Sequence, residues 1–129
     1  MLAIDTNLIV RYLTGDHPKQ SAAARALIDG KDVFVCTTVL METEWVLRSV
    51  YGFTADSIEK ALAAFGGLPR VTLENPGLVA KALSWMGRGM DFADALHLAA
   101  AKGCEAFVSF DRGFAKTASV VDDLKVRVP

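Results

Sequence analysis

Hydrophobic positions along the chain fall into short runs that alternate with helical patterns. Leu2, Ala3 and Ile4 form an apolar run that stops at Asp5, and Leu8, Ile9, Tyr12 and Leu13 then recur on one helical face until Gly15. This predicts a strand followed by a helix. Beyond Pro18, Ala22, Ala23, Ala26 and Leu27 carry a second helix to Gly30, and Val33 to Cys36 read as a buried strand. A long helix is expected from a cap at Thr38 to Gly52, and another from Thr54 or Asp56 to the glycine pair Gly66 and Gly67.

Val71 to Leu73 make a third strand, and Asn75-Pro76 has the form of an N-cap followed by a first-turn proline. The helix it opens carries Val79, Ala82, Leu83 and Met86. Asp91 starts a further helix ending at Gly103, after which Ala106 to Phe110 form a fourth strand with Asp111 directly behind it. Val126 and Val128 alternate with charged residues, the pattern of a last, half-exposed strand. Short apolar strands between helices predict an α/β fold with a parallel sheet covered on both faces.

A chain of 129 residues, 52% hydrophobic and 22% charged, suits one core-rich domain and excludes disorder. No repeat or linker-like tract divides it. Its formal charge of −1 provides no global field that announces nucleic acid, so any polyanion has to be held by local features. Cys36 and Cys104 sit among apolar residues without a paired spacing, which favours buried thiols and a reducing cytoplasm. The N-terminus has no signal-peptide pattern, and no apolar stretch is long enough to span a membrane.

The acids carry the chemical signal. In open α/β sheets ligands collect at the carboxyl ends of strands, and both Asp5 and Asp111 stand there, although either can equally cap the helix that follows. Glu42 falls on a stripe through Val39, Thr43, Val46 and Val50 and is expected to face inward. An unpartnered buried carboxylate costs several kcal/mol, so it requires a cation, a hydrogen-bond network or a proton. Glu44, with Arg48 four residues later, reads as a solvated ion pair. Asp91 and Asp94 have capping-box spacing, with Asp91 as the cap and Asp94 in the first turn, able to face a site, the solvent or His97.

Several carboxylates can share a pocket only when their repulsion is offset, and a hard divalent cation does this with oxygen ligands. The absence of a Cys/His cluster turns the expectation from zinc to Mg²⁺ or Mn²⁺. His17 and His97 have no partner at a catalytic spacing, and Gly87-Arg88-Gly89 lacks the Lys and Ser/Thr of a phosphate loop. Arg112 and Lys116, close behind Asp111, are the best-placed charges for holding phosphates near the acids. The aromatic residues suit packing or a protein interface.

Taken in order, IDTN, VLMETEWVL, DFADALHLAAA and FVSFDRGF resemble the successive acidic motifs of PIN domains, particularly VapC-type toxins of toxin–antitoxin pairs. The resemblance covers nearly the whole chain. It implies a three-layer sandwich around a mostly parallel sheet of four or five strands, with Asp5, Glu42, Asp94 and Asp111 as metal-binding acids. Asp91, Thr6, Asn7 and Ser109 become supporting residues. A metal-dependent endoribonuclease, a VapB-like antitoxin that blocks it and a homodimer near Trp45 to Phe65 follow from the same resemblance.

Other acidic α/β sites fit less well. A receiver domain needs a central-strand Asp and a late strand-end Lys, neither of which is evident. A haloacid-dehalogenase-type phosphatase needs a second Asp where this chain has Asn7. A PIN-like module without activity, serving protein association, is the alternative from another class.

Overall fold

The computed structural model describes residues 1–129 as seven helices and five short strands, in an α/β order that follows the hydrophobic pattern. It consists of two compact units, Met1–Pro76 and Gly77–Pro129. No helix is long and apolar enough to cross a membrane.

The first unit runs β1 (Leu2–Ala3), α1 (Thr6–Thr14), α2 (Pro18–Gly30), β2 (Val33–Val35), α3 (Thr37–Ser49), α4 (Ala55–Gly66) and β3 (Val71–Leu73). Its strands form a parallel sheet in the order β1-β2-β3, with Leu2 opposite Val33 and Val33 opposite Val71. Parallel neighbours cannot be joined by a hairpin, and the pairs α1–α2 and α3–α4 make the two crossovers. Val33 and Val35 of the central strand are buried, along with Ile9, Val10, Ile28, Leu40, Leu47, Ile58, Leu62 and Phe65 from the helices.

Local sequence explains where these helices begin and end. Gly15 closes α1 in the left-handed conformation, φ 65°, with its N–H donating to the Arg11 carbonyl at 3.1 Å. Pro18 occupies the first turn of α2, and Thr54 caps α4 through its side chain. The start of α3 differs from the expected Thr38 cap. The helix begins at Thr37, Cys36 provides no side-chain cap, and the Thr37 N–H instead donates to Glu74 Oε1 at 2.9 Å.

In the second unit, α5 (Pro76–Gly87) begins at the last residue of the first and is followed by α6 (Phe92–Ala100), β4 (Phe107–Val108), α7 (Arg112–Val121) and β5 (Val126–Arg127). β4 and β5 pair in parallel, Phe107 opposite Val126, with α7 as the crossover. Val79, Leu83, Met86, Met90, Phe92, Leu98 and Phe114 are buried, and the rings of Phe107 and Phe114 lie 4.8 Å apart.

Two expectations need correction. All strands are parallel, but they form ladders of three and two rather than one ladder of four or five. β1, β4 and β5 have only two residues each, and the chain turns into helix caps at Asp5, two residues after β1, and at Asp111, three residues after β4. Hydrogen bonding outlasts the strands only slightly, with Ile4 N donating to Phe34 O at 3.1 Å and Ser109 N to Arg127 O at 3.0 Å. The second correction concerns the cysteines. Cys36 is half-buried and Cys104 is exposed in the turn after α6, because Gly103 ends the apolar face before position 104 is reached.

Candidate active-site carboxylates

In the first unit, β1 delivers Asp5 to the start of α1, where its Oδ1 accepts from the Leu8 N–H at 3.2 Å. The capping alternative is thus realised, and the second carboxylate oxygen remains available. Thr6 follows as a buried residue, 6% exposed, and its hydroxyl donates a short hydrogen bond to Glu42 Oε1. Glu42 is therefore held by the residue that follows Asp5 in the chain. Asn7 is exposed and lines a cleft with Asp5.

The inward face of α3 is not the one its valines suggest. Leu40, Thr43, Glu44 and Leu47 are buried, Glu42 is exposed, and Val50 is 67% exposed. Glu42 reaches Thr6 from the open side of the helix, so its expected inward orientation is wrong although its proximity to the Asp5 turn holds. Glu44, expected in solvent, is only 3% exposed. It does accept from Arg48 Nε, at 2.8 Å, as the four-residue spacing implies. Glu44 is buried while the Arg48 side chain is 45% exposed, and the pair is a structural feature of the helix.

In the second unit, Asp91 caps α6 by accepting from the Asp94 N–H at 3.1 Å. Asp94 is half-buried in the first turn. Burial raises its carboxyl above the ordinary aspartate range, the charges of Asp91 and Asp111 raise it further, and His97 opposes them. These three acids are electrostatic neighbours. Asp111 caps α7 by accepting from the Phe114 N–H at 3.0 Å, and its own N–H donates to Ser109 Oγ at 3.0 Å. A Cβ at Gly113 would lie 3.2 Å from Asp111 Oδ1, so glycine keeps that cap unobstructed.

Arg112 and Lys116 are exposed one turn apart on α7. Neither histidine takes a catalytic geometry. His17 caps α2 by accepting from the Gln20 N–H at Nδ1, 3.1 Å, and His97 is exposed on α6. No group of three or more His, Cys, Asp and Glu stands assembled to hold a metal. The donor chemistry nevertheless fits a hard cation, because the acids offer carboxylate oxygens and Asp94 is crowded by like charge. The Thr6 to Glu42 bond could not be found from helical periodicity, since it depends on how α3 packs beside α1.

The model of the PIN-domain family matches residues 2–120. The chain belongs to the PIN-domain family. PIN domains are in general metal-dependent nucleases, and membership points to nuclease chemistry in general for this chain. No curated protein matches it as a relative.

Proposed function

We propose that this PIN domain is a Mg²⁺- or Mn²⁺-dependent endoribonuclease and the toxin of a VapBC-type pair. The observation that carries the reading is the family match over 2–120, in a chain that keeps an acid in each of its four motifs, Asp5, Glu42, Asp94 and Asp111. These four are assigned as the metal-binding acids. The match runs through both compact units, which supports treating 1–129 as one functional domain.

A bound divalent cation would supply activated water and neutralise the scissile phosphodiester. The chain's own residues prepare for that role. Capping spends one oxygen of Asp5 and one of Asp111 and fixes the carboxylate planes. Thr6 holds Glu42, Asp91 fixes the first turn that carries Asp94, and Ser109 restrains the backbone of Asp111. Asn7 supports the Asp5 turn, and Arg112 and Lys116 contribute positive charge for flanking phosphates.

The deciding experiment is RNA cleavage with Mg²⁺ or Mn²⁺, with excess chelator, and with Asp5→Asn. Metal-dependent cleavage that Asp5→Asn abolishes supports the reading. A folded protein that never cleaves RNA would favour the protein-binding module.

The toxin role brings a VapB-like antitoxin in a cytoplasmic setting, and a short upstream reading frame of antitoxin type is the observation that tests it. A homodimer is also proposed, through exposed Trp45, Val50 and Phe53 and without buried Phe65. A monomer by light scattering at micromolar concentration would remove that proposal.

A further inference from the structure

Beside Asp5, the first unit carries a cleft of about 330 Å³ lined by Asp5, Asn7, Leu8, Arg11, Gln20 and Ala23. Asn7, Leu8 and Arg11 lie along α1, Asp5 caps its start, and Gln20 and Ala23 face them from α2, so the cleft is a groove between two helices with Asp5 in its wall. Leu8 and Ala23 provide apolar surface. Asn7 and Gln20 provide carboxamides, which present a donor and an acceptor side by side.

Arg11 is held rigidly there. Its Nε donates to Gln20 Oε1 at 2.9 Å, and its Nη1 donates to Asp16 Oδ1 at 3.2 Å and to Tyr51 Oη at 3.0 Å. Asp16 is fixed in turn by the Tyr51 hydroxyl at 2.6 Å and the Thr14 hydroxyl at 2.8 Å, and these bonds hold its carboxyl below the usual aspartate range. Arg11 Nη2 takes part in none of these bonds. A guanidinium fixed through two nitrogens, with the third unengaged, is a preorganised donor whose side-chain entropy is already lost.

We propose that this groove is a subsite for one nucleotide of single-stranded RNA next to the cleaved bond, and that Gln20 and Arg11 set the base preference of cleavage. The inference rests on the nuclease reading of Asp5. The volume is at the small end of ligand pockets, suited to one nucleotide and not to a duplex. Sequence-specific RNA recognition works on unpaired bases by this combination of apolar contact, an arginine plane and hydrogen bonds to base edges. The groove concentrates those elements next to a proposed site acid in a chain without net positive charge.

The test has two arms. In the first, oligoribonucleotides that differ only in the bases flanking the cut are cleaved by wild type, Gln20→Leu, Ala23→Trp and the control Ala22→Trp. Ala22 and Ala23 are both exposed on α2, but only Ala23 lines the groove. Ala23→Trp is expected to raise KM about tenfold with little change in kcat. Gln20→Leu is expected to flatten a base preference of about tenfold, and Ala22→Trp to do neither.

In the second arm, AMP, GMP, CMP and UMP are titrated in excess chelator while backbone amides are followed by NMR. Shifts confined to Asn7, Leu8, Arg11 and Ala23, stronger for one base and absent in Ala23→Trp, support the subsite. Unchanged KM in Ala23→Trp, or equal shifts with inorganic phosphate alone, would overturn it. If wild type cleaves no RNA while the nucleotides still shift the groove, the nuclease reading fails, the role in cleavage is overturned, and only nucleotide binding by the groove stands. Cleavage that ignores every groove variant sinks the subsite alone.

Discussion

Replacing Asp5 and Asp111 by Asn and by Ala separates what these side chains do for folding from what they do for chemistry. Each caps a helix through one carboxylate oxygen, Asp5 on the Leu8 N–H and Asp111 on the Phe114 N–H. Asn presents an equivalent acceptor, whereas Ala leaves the amide without a partner, at a cost of about 1 kcal/mol. Unfolding entropy near 2.1 cal/mol/K per residue over 129 residues translates each kcal/mol into roughly 4 °C of Tm. Asp5→Ala and Asp111→Ala should therefore each melt about 4 °C below wild type.

The two caps share no hydrogen-bond partner, so the double alanine variant should lose about 8 °C. The Asn variants give up only part of the interaction with the helix dipole, a few tenths of a kcal/mol, and should stay within about 2 °C. In RNA cleavage all four single variants should be inactive, because each removes an anionic oxygen. Scanning calorimetry and cleavage on the same preparations read both effects. Equal melting of Asn and Ala variants would refute the capping argument, and a folded Asn variant cutting RNA at the wild-type rate would refute the site assignment.

Asp94→Asn should stabilise the metal-free protein at neutral pH. A carboxyl raised in the fold contributes stability at acid pH that is lost as the pH rises through its folded value, so the gain should shrink on acidification. Melting curves across pH check this, and Mg²⁺ should stabilise wild type more than Asp94→Asn. The Ser21 hydroxyl is buried without a partner at 2% exposure. Ser21→Ala should therefore raise stability by about 1 kcal/mol, and urea unfolding showing a loss would contradict it. His97→Ala should keep most cleavage activity, and His17→Ala should keep it while losing about 0.5 kcal/mol of cap, with denaturation and cleavage read together.

What the sequence made legible depended on how local the governing physics is. Strand β3, helices α1 and α2 and the caps at Thr54 and Asp91 are set by neighbouring residues, and the pattern locates them within a residue or two. Helix α7 is marked in the sequence only as the helix that Asp111 can cap, and its Phe114, Ala118 and Val121 fall at helical spacing. The exchange of Glu42 and Glu44 has a different origin. Counting valines finds a stripe on α3, but the buried face is the one whose Leu40 and Leu47 pack into the unit, and Val39 and Val46 only flank it. Burial of a helix face is decided by neighbouring elements, which periodicity does not contain.

The candidate acids are legible in the sequence for a reason that also makes each ambiguous. A strand end that runs straight into a helix needs an acceptor for the first amides, and Asp meets that need at Asp5 and Asp111. The same junction lies at the carboxyl edge of a parallel strand, where ligands bind. On the proposed assignment, capping and metal binding use the same residue at the same place without competing, because a carboxylate has two oxygens. The oxygen committed to the helix removes rotational freedom from the other, so capping lowers the entropy cost of placing a metal ligand. Glu42 lies within its helix and cannot be fixed by capping, and it obtains the same restraint from the buried hydroxyl of Thr6, the residue next to Asp5.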